Sequence, residues 1–347
     1  MRSRLSNSHR FLWQALVLLL CPLQMSAQSG SDYERGVAAF QSGDYSVAAS
    51  LFAGVESASP GTTDALLYEA KSFVHLENFA AADNALRRYV TLHPDSEDAL
   101  YLLGFILHRE NKPGESLEVY TKAAARKPPT ADDLKIVALD YVLLNDYADA
   151  IKWLEKAVQL DATNKDAWYY LGRAYYTRGL LEPARKAFET VLTLDSRDAK
   201  AENNLGLILE SQAKLDDALA AYRQAIAWQA KNPHESEQPY VNLGSLLIQE
   251  DRAEEAIPSL EKAVALAPAD ATCHLKLGTA YLRLARLAEA RQELEKAAQL
   301  EPENASIHYQ LGRFYKQVHE IDRAKAEFER TAELQSRAAG ASSPPAP

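Results

Sequence analysis

The side chains best suited to catalysis or metal binding are eight histidines and two cysteines, and they are scattered along the chain. No histidine lies in an H-E-x-x-H pattern or at a Cys/His spacing that would suit zinc. The sequence also lacks a G-x-S-x-G nucleophile elbow and a glycine-rich phosphate-binding loop. We therefore expect no catalytic residues, no cofactor and no metal site.

The net charge and the cysteine content limit the kind of partner and the way the fold is stabilised. The net charge of −10 argues against nucleic-acid binding, which depends on Lys and Arg neutralising phosphates. The two cysteines, Cys21 and Cys273, provide no disulfide framework, so the fold must be held by packing. We expect Cys273 to be buried in a helix interface.

A period of 34 residues organises most of the chain. A small residue recurs at its eighth position: Gly36, Ala70, Gly104, Ala138, Gly172, Gly206, Gly244, Gly278 and Gly312. A large apolar residue recurs at its twenty-fourth position: Phe52, Leu86, Tyr120, Leu154, Phe188, Tyr222, Leu260, Leu294 and Phe328. A small residue on one helix lets a second helix approach closely, so the period predicts pairs of packed helices. The turn between the two helices contains Gly43 in the first repeat and Gly179 in the fifth.

The stretch that begins at Lys165 is the most regular copy of the period. It matches the pattern W-x₂-L-G-x₂-Y…A-x₃-F with these residues: Trp168, Leu171, Gly172, Tyr175, Ala184 and Phe188. The chain resembles the tetratricopeptide repeat (TPR) family. The resemblance implies an all-α fold, a right-handed superhelical α-solenoid of nine helix-turn-helix repeats. The frame gives the repeats as 29–62, 63–96, 97–130, 131–164, 165–198, 199–232, 237–270, 271–304 and 305–338.

The frame leaves two segments outside the repeats. Four residues, 233–236, form an insertion that we interpret as a lengthened loop, either inert or acting as a mild hinge or lip. Residues 339–347 are rich in Pro and Ser and are predicted to be a disordered tail.

The TPR resemblance implies that partners, usually extended peptides or single helices, lie in a concave groove lined by the first helix of each repeat. The candidate groove residues are those first-helix side chains in the middle repeats that packing does not use. They are Tyr169, Tyr170, Arg173, Tyr176, Asn203, Asn204, Leu207, Asn242 and Ser245.

Asn204 and Asn242 occupy the same frame position in successive repeats, so we expect them to stack along the groove. An amide that donates to a carbonyl and accepts from an N–H holds a peptide backbone without reading its sequence. This resembles the asparagine ladder of the O-linked N-acetylglucosamine transferases, here with only two rungs. The alternative is plain helix surface. A carboxylate clamp is disfavoured, because Lys135 and Arg173 fit it but the intervening Asn residues do not.

Two histidines repeat in the frame. His274 and His308 share a position at which earlier repeats have Leu, Trp or Tyr. We interpret both as packing residues, and a shared metal site is the alternative.

The start of the chain is typical of a secretory signal. A basic stretch with Arg2, Arg4 and Arg10 precedes an apolar run over residues 11–23. The run is too short for a membrane span. We expect a signal peptide over residues 1–27, cleaved after Ala27, with a lipid anchor at Cys21 as the alternative.

These observations predict an exported, periplasmic or secreted scaffold that binds protein or peptide partners, with no nucleic-acid partner and no transmembrane span. Two alternative functions remain open. One is a self-associating or structural component of an envelope complex. The other is an accessory subunit of a separately encoded enzyme, such as a glycosyltransferase.

Overall fold

The computed structural model describes residues 30–59, 61, 63–230 and 232–341, so the predicted signal peptide and residues 342–347 lie outside the described residues. These ranges contain 18 helices and no strand. In the first half they are α1 (30–41), α2 (Tyr45–Ala58), α3 (Thr63–His75), α4 (Phe79–Leu92), α5 (Glu97–Arg109), α6 (Pro113–Ala124), α7 (Ala131–Leu143), α8 (Tyr147–Leu160) and α9 (Lys165–Thr177). In the second half they are α10 (Leu181–Leu194), α11 (Ala199–Ser211), α12 (Leu215–Gln229), α13 (Gln238–Gln249), α14 (Ala253–Leu266), α15 (Ala271–Arg283), α16 (Leu287–Leu300), α17 (Ala305–Gln317) and α18 (Ile321–Ala341).

The chain forms two compact units, the first ending at Ala174 and the second beginning at Tyr175. In each unit, consecutive helices pack against each other and no sheet intervenes among the described residues. We call the odd-numbered helices A helices and the even-numbered helices B helices. Successive A helices also touch, as α5 touches α7 and α11 touches α13. The all-α architecture of consecutive helix pairs is confirmed.

The turn from each A helix to its B helix depends on a residue in the left-handed backbone region. The fifteenth residue of every repeat has a φ between +54° and +83°, as the following residues show: Gly43, Glu77, Asn111, Asn145, Gly179, Ala213, Asp251, Ala285 and His319. Glycine adopts this conformation at low cost, whereas alanine does so under steric strain. The glycines at positions 43 and 179 are therefore explained by the backbone, and the other seven repeats keep the same turn without glycine.

The small residue on each A helix faces the large side chain of its own B helix. A Cβ added at Gly104 would lie 2.6 Å from the Tyr120 ring, and one added at Gly206 would lie 2.5 Å from the Tyr222 ring. Ser116, four residues before Tyr120, donates from its Oγ to the Gly104 carbonyl at 2.9 Å. In the repeats that have glycine at this position, the A helix is thus held against its B helix by a contact that has no room for a Cβ.

The four-residue insertion is tied down at its C-terminal end, at Glu235 and Ser236. The buried Gln229 side chain donates from Nε2 to the Ser236 carbonyl at 2.7 Å and accepts from the Ser236 N–H at 3.1 Å. The Glu235 carboxylate accepts from the Tyr240 hydroxyl and pairs with Lys262 Nζ at 2.8 Å. Two polar anchors therefore fix this loop on the second unit.

The last helix is longer than the others. It continues to Ala341, so the first three residues of the predicted tail are helical. Its charged side chains pair with one another, for example Arg330 with Glu333 at 2.9 Å and Arg337 with Glu333.

Candidate partner-binding face

Three of the predicted site residues lie in the part of α9 that belongs to the first unit. The rings of Tyr169 and Tyr170 are half-buried and meet edge to face, with centroids 5.6 Å apart, while Arg173 is exposed. A half-buried tyrosine presents both an apolar ring and a polar hydroxyl. These side chains belong to the A-helix face, by which we mean the surface made by A-helix side chains that remain half-buried or exposed after the helices have packed.

In the second unit, a pair of asparagines joins two A helices, with Asn242 on the A-helix face and Asn203 buried beneath it. Asn242 on α13 donates from Nδ2 to Oδ1 of Asn203 on α11 at 2.9 Å. Asn203 is 7% exposed and Asn242 is half-buried. The bond uses one of the two N–H groups of Asn242, and it fixes the orientation of both amide planes.

The other predicted residues of the second unit lie around this pair. Asn204 is half-buried and donates from Nδ2 to the Lys200 carbonyl of its own helix at 2.7 Å. Leu207 and Ser245 are half-buried. Tyr176 places its hydroxyl 3.3 Å from Ser211 Oγ on α11. The sequence predicts that Asn204 and Asn242 stack. In the structure, Asn242 bonds to Asn203 instead, and the Asn204 amide bonds to its own helix.

His274 and His308 use the same hydrogen bonds one repeat apart. Each donates from Nε2 to the carbonyl of a proline at the end of the preceding repeat, Pro268 at 3.1 Å and Pro302 at 2.8 Å. Each also pairs through Nδ1 with a B-helix glutamate, Glu293 for His274 and Glu327 for His308.

Trp168 occupies the same position in its repeat as these two histidines and makes an equivalent hydrogen bond. Its Nε1 donates to the Ala162 carbonyl at 2.9 Å, and Ala162 has the same place in its repeat as the two prolines. Histidine thus makes the hydrogen bond that tryptophan makes in another repeat. Among the described residues, no three His, Cys, Asp or Glu side chains come together in a way that would hold a metal ion.

Cys273 is fully buried and unreactive by position. It packs with Tyr240, Val241 and Ala263, and burial raises the pKa of its thiol to about 12. A neutral buried thiol is a packing group rather than a nucleophile.

The first unit contains a polar pair that the 34-residue period does not predict. His108 on α5 places Nδ1 2.8 Å from Oδ1 of Asp140 on α7, and Asp140 is 0% exposed. The tenth position of a repeat, where Asp140 lies, is apolar in most repeats, as at Ile106 and Ala174. The sequence signal for this pair is a charged residue at a repeat position that is otherwise mostly apolar.

The helix pairs and the accessible side chains of the A helices indicate the class of protein. Each helix pair is joined by a turn that contains one residue in the left-handed backbone region. The pairs stack and leave A-helix side chains accessible, which is the architecture of a repeat scaffold for protein interactions. Models of the tetratricopeptide repeat match residues 141–205, 247–298 and 286–341, and, for a second form of the repeat, residues 67–131 and 182–234. The chain therefore belongs to the tetratricopeptide repeat family.

Curated relatives share part of this repeat region. BBSome complex member BBS4 of Xenopus tropicalis is 29% identical over 136 residues, 39% of this chain and 26% of the relative. Human protein O-mannosyl-transferase TMTC3 is 26% identical over 191 residues, 54% of this chain and 20% of the relative. Anaphase-promoting complex subunit 3 of Schizosaccharomyces pombe is 21% identical over 244 residues, 70% of this chain and 36% of the relative. The chain thus spans between 20% and 36% of the length of these relatives.

Solved structures agree on the fold. The APC/C hetero-tetramer Cut9–Hcn1 has a TM-score of 0.59 at 18% identity and covers 78% of this chain and 52% of its own. A tetratricopeptide repeat protein from Parabacteroides merdae also has a TM-score of 0.59, at 17% identity, and covers 78% of this chain and 98% of its own.

Within the part of the chain that the structure describes, no helix is both long enough and apolar enough to cross a bilayer.

Proposed function

We propose that this protein is an exported scaffold that binds partner polypeptides on its A-helix face. The observation that carries the proposal is the Asn203–Asn242 bond at 2.9 Å, which holds two amides of neighbouring A helices in fixed orientation. The bond joins two A helices, whereas the close contact of an A helix with its own B helix lies at other positions, such as Gly206 against Tyr222. Oriented amides meet the donors and acceptors of a bound backbone without the cost of ordering them first.

The comparisons support a role in an assembly of several proteins. Two of the relatives bear names that describe members of complexes, the BBSome and the anaphase-promoting complex. Repeat stacks provide long surfaces for other chains.

Export rests on the basic start and the apolar run of residues 11–23. Cell fractionation followed by N-terminal sequencing tests it. We expect the mature chain in the periplasm or medium, beginning at Gln28. A full-length chain in the cytoplasm would refute export, and a lipid on Cys21 would favour the anchored alternative.

Affinity capture from an envelope extract of the source organism tests partner binding. Tyr170→Ala probes the A-helix face of the first unit, and Asn204→Ala with Asn242→Ala probes that of the second. Gln224→Ala is a matched control, since Gln224 is exposed on the B helix α12. Circular dichroism first verifies that all baits are folded.

We expect a protein that the native chain and the Gln224→Ala control retain and that at least one A-helix variant loses. Equal recovery by all four baits would refute the A-helix face as the binding surface. A native chain that retains only copies of itself, with a concentration-dependent mass in sedimentation, would favour the self-associating alternative.

A further inference from the structure

The A helices α5 and α7 of the first unit present a surface unlike that of the second unit. On each helix, four residues at spacing i, i+4, i+7 and i+11 share one face. They are Asp98, Leu102, Phe105 and Arg109 on α5, and Asp132, Ile136, Leu139 and Leu143 on α7. Since α5 and α7 touch, the two rows lie on neighbouring helices.

The middle of this surface is apolar. Leu102, Phe105, Ile136 and Leu139 are all half-buried, and Leu143 is 44% exposed. The equivalents of the first four residues in the second unit are mostly polar: Asn204, Leu207, Asn242, Ser245, Lys276, Thr279, Gln310 and Arg313. Contiguous apolar side chains that remain accessible mark a site for another molecule. The first unit therefore suits an apolar ligand, and the second a polar one.

One edge of the same surface is acidic. Asp98, Asp132 and Asp166 begin the corresponding rows of α5, α7 and α9, and their side chains are 79%, 73% and 67% exposed. Lys135 Nζ lies 2.7 Å from Asp132 and 3.9 Å from Asp166, so these two carboxylates flank one ammonium group. The acids thus form a row that runs from helix to helix.

Two lysines already pair with this row. Lys127 Nζ lies 2.7 Å from Asp98, and Lys135 Nζ lies between Asp132 and Asp166. The Lys127–Asp98 pair is exposed on both sides and contributes about 0–1 kcal/mol, so a cation of a partner can replace Lys127 at little cost. The far end of the α5 row carries Arg109, whose guanidinium stacks on the Phe79 ring with its centre 4.3 Å from the centroid.

We propose that α5 and α7 bind a cationic amphipathic helix, a proposal that rests on the scaffold function argued above. The apolar stripe of the ligand covers Leu102, Phe105, Ile136 and Leu139, and its Lys or Arg residues lie along the acidic row. A helix fits because an apolar stripe flanked by charge is the pattern of an amphipathic helix and matches a surface two A helices wide. A cationic ligand fits because the three carboxylates along this edge outnumber the two lysines that pair with them.

Two synthetic helices of about 18 residues, long enough to be helical when bound, test the proposal. Both carry leucine on one face; one has lysine on the other face, and the second has glutamate. Each is labelled with a fluorophore and titrated with the mature full chain, and anisotropy gives the Kd. We expect the lysine helix to bind at least about ten-fold more tightly than the glutamate helix at low salt. The difference shrinks between about 0.05 and 0.5 M salt, because screening shortens the reach of the acidic row.

Variants locate the binding. Leu143→Glu is expected to weaken the lysine helix about ten-fold or more by placing a charge in the apolar stripe. Leu160→Glu is the matched control, because Leu160 is 60% exposed at the end of the B helix α8, and it is expected to bind as the native chain does. Asp98→Asn with Asp166→Asn is expected to remove most of the preference for lysine over glutamate.

Equal binding of the two helices, no binding of either, or equal weakening by Leu160→Glu and Leu143→Glu would each overturn the proposal. The outcome is separable from the proposed function. A partner captured by the native chain and lost by Asn204→Ala with Asn242→Ala would leave the scaffold function intact even if no model helix bound.

Discussion

His108 and Asp140 form a hydrogen bond of 2.8 Å between two neighbouring A helices, α5 and α7. Asp140 is fully buried, and its Oδ2 has no hydrogen-bond partner among the described residues. In the preceding repeat the same two frame positions hold Val74 and Ile106. Since an apolar pair suffices there, the polar pair is not required for the helices to pack.

The first prediction is a double-mutant cycle on this pair. His108→Val leaves the buried Asp140 carboxylate without its partner and is expected to lower the free energy of unfolding by about 3–5 kcal/mol. Asp140→Ala is expected to cost about 1 kcal/mol, the net worth of one hydrogen bond. The double variant, which restores an apolar pair, is expected to lie within about 1 kcal/mol of the native chain. Urea unfolding followed by circular dichroism measures all four. A double variant as unstable as His108→Val would show that the pair supports the fold.

The second prediction concerns the contact between Gly104 and Tyr120. A Cβ at position 104 would lie 2.6 Å from the Tyr120 ring, so Gly104→Ala is expected to cost about 1–3 kcal/mol of stability. Where the frame has Ala in place of Gly, at Ala70, the facing residue is Leu86. Adding Tyr120→Leu to Gly104→Ala is therefore expected to recover part of the loss. If the double variant is as unstable as the sum of the single ones, the two positions are not coupled.

The third prediction concerns the turn at Ala285. Its φ of +54° strains an alanine, so Ala285→Gly is expected to raise the stability by about 0.5–1 kcal/mol, the strain relieved less the added entropy of glycine. Gly179, with a φ of +71°, provides the reverse test, and Gly179→Ala is expected to lower the stability by a similar amount. Thermal and urea unfolding measure both. A less stable Ala285→Gly would mean that the alanine side chain contributes more than its backbone strain.

The fourth prediction concerns the reactivity of the Cys273 thiol. Burial raises the pKa of the Cys273 thiol to about 12, so near pH 8 the group is neutral and enclosed. We expect iodoacetamide to leave Cys273 unmodified in the native chain and to modify it fully in urea, as read by mass spectrometry. Rapid modification of the folded chain at pH 8 would contradict the burial of this helix interface.

Much of the fold follows from the sequence because the 34-residue period is set by packing. The period places a small residue opposite a large one, and Gly104 against Tyr120 has that geometry. It also identifies His274 as a substitute for a packing residue, and the structure adds the hydrogen bond that Trp168 makes in another repeat.

Other features do not follow from the period. Which amides meet depends on the rotation of one A helix against the next, so Asn242 bonds to Asn203 although its frame partner is Asn204. The turn at Ala285 keeps its left-handed φ without glycine, and the N–H groups of Arg286 and Leu287 donate to the carbonyls of Tyr281 and Ala285 at 2.9 and 3.0 Å. These details depend on how the helices pack and on backbone hydrogen bonds within the turn.

Hydrogen exchange with a captured partner is the most direct test of the central claim that polypeptides bind the A-helix face. At saturating partner, we expect slower amide exchange in A helices, in α5 and α7 or in α11 and α13. The exposed B-helix surfaces, such as that around Gln224 on α12, are expected to exchange as in the free chain. Protection confined to B helices, with the A helices unchanged, would contradict the claim.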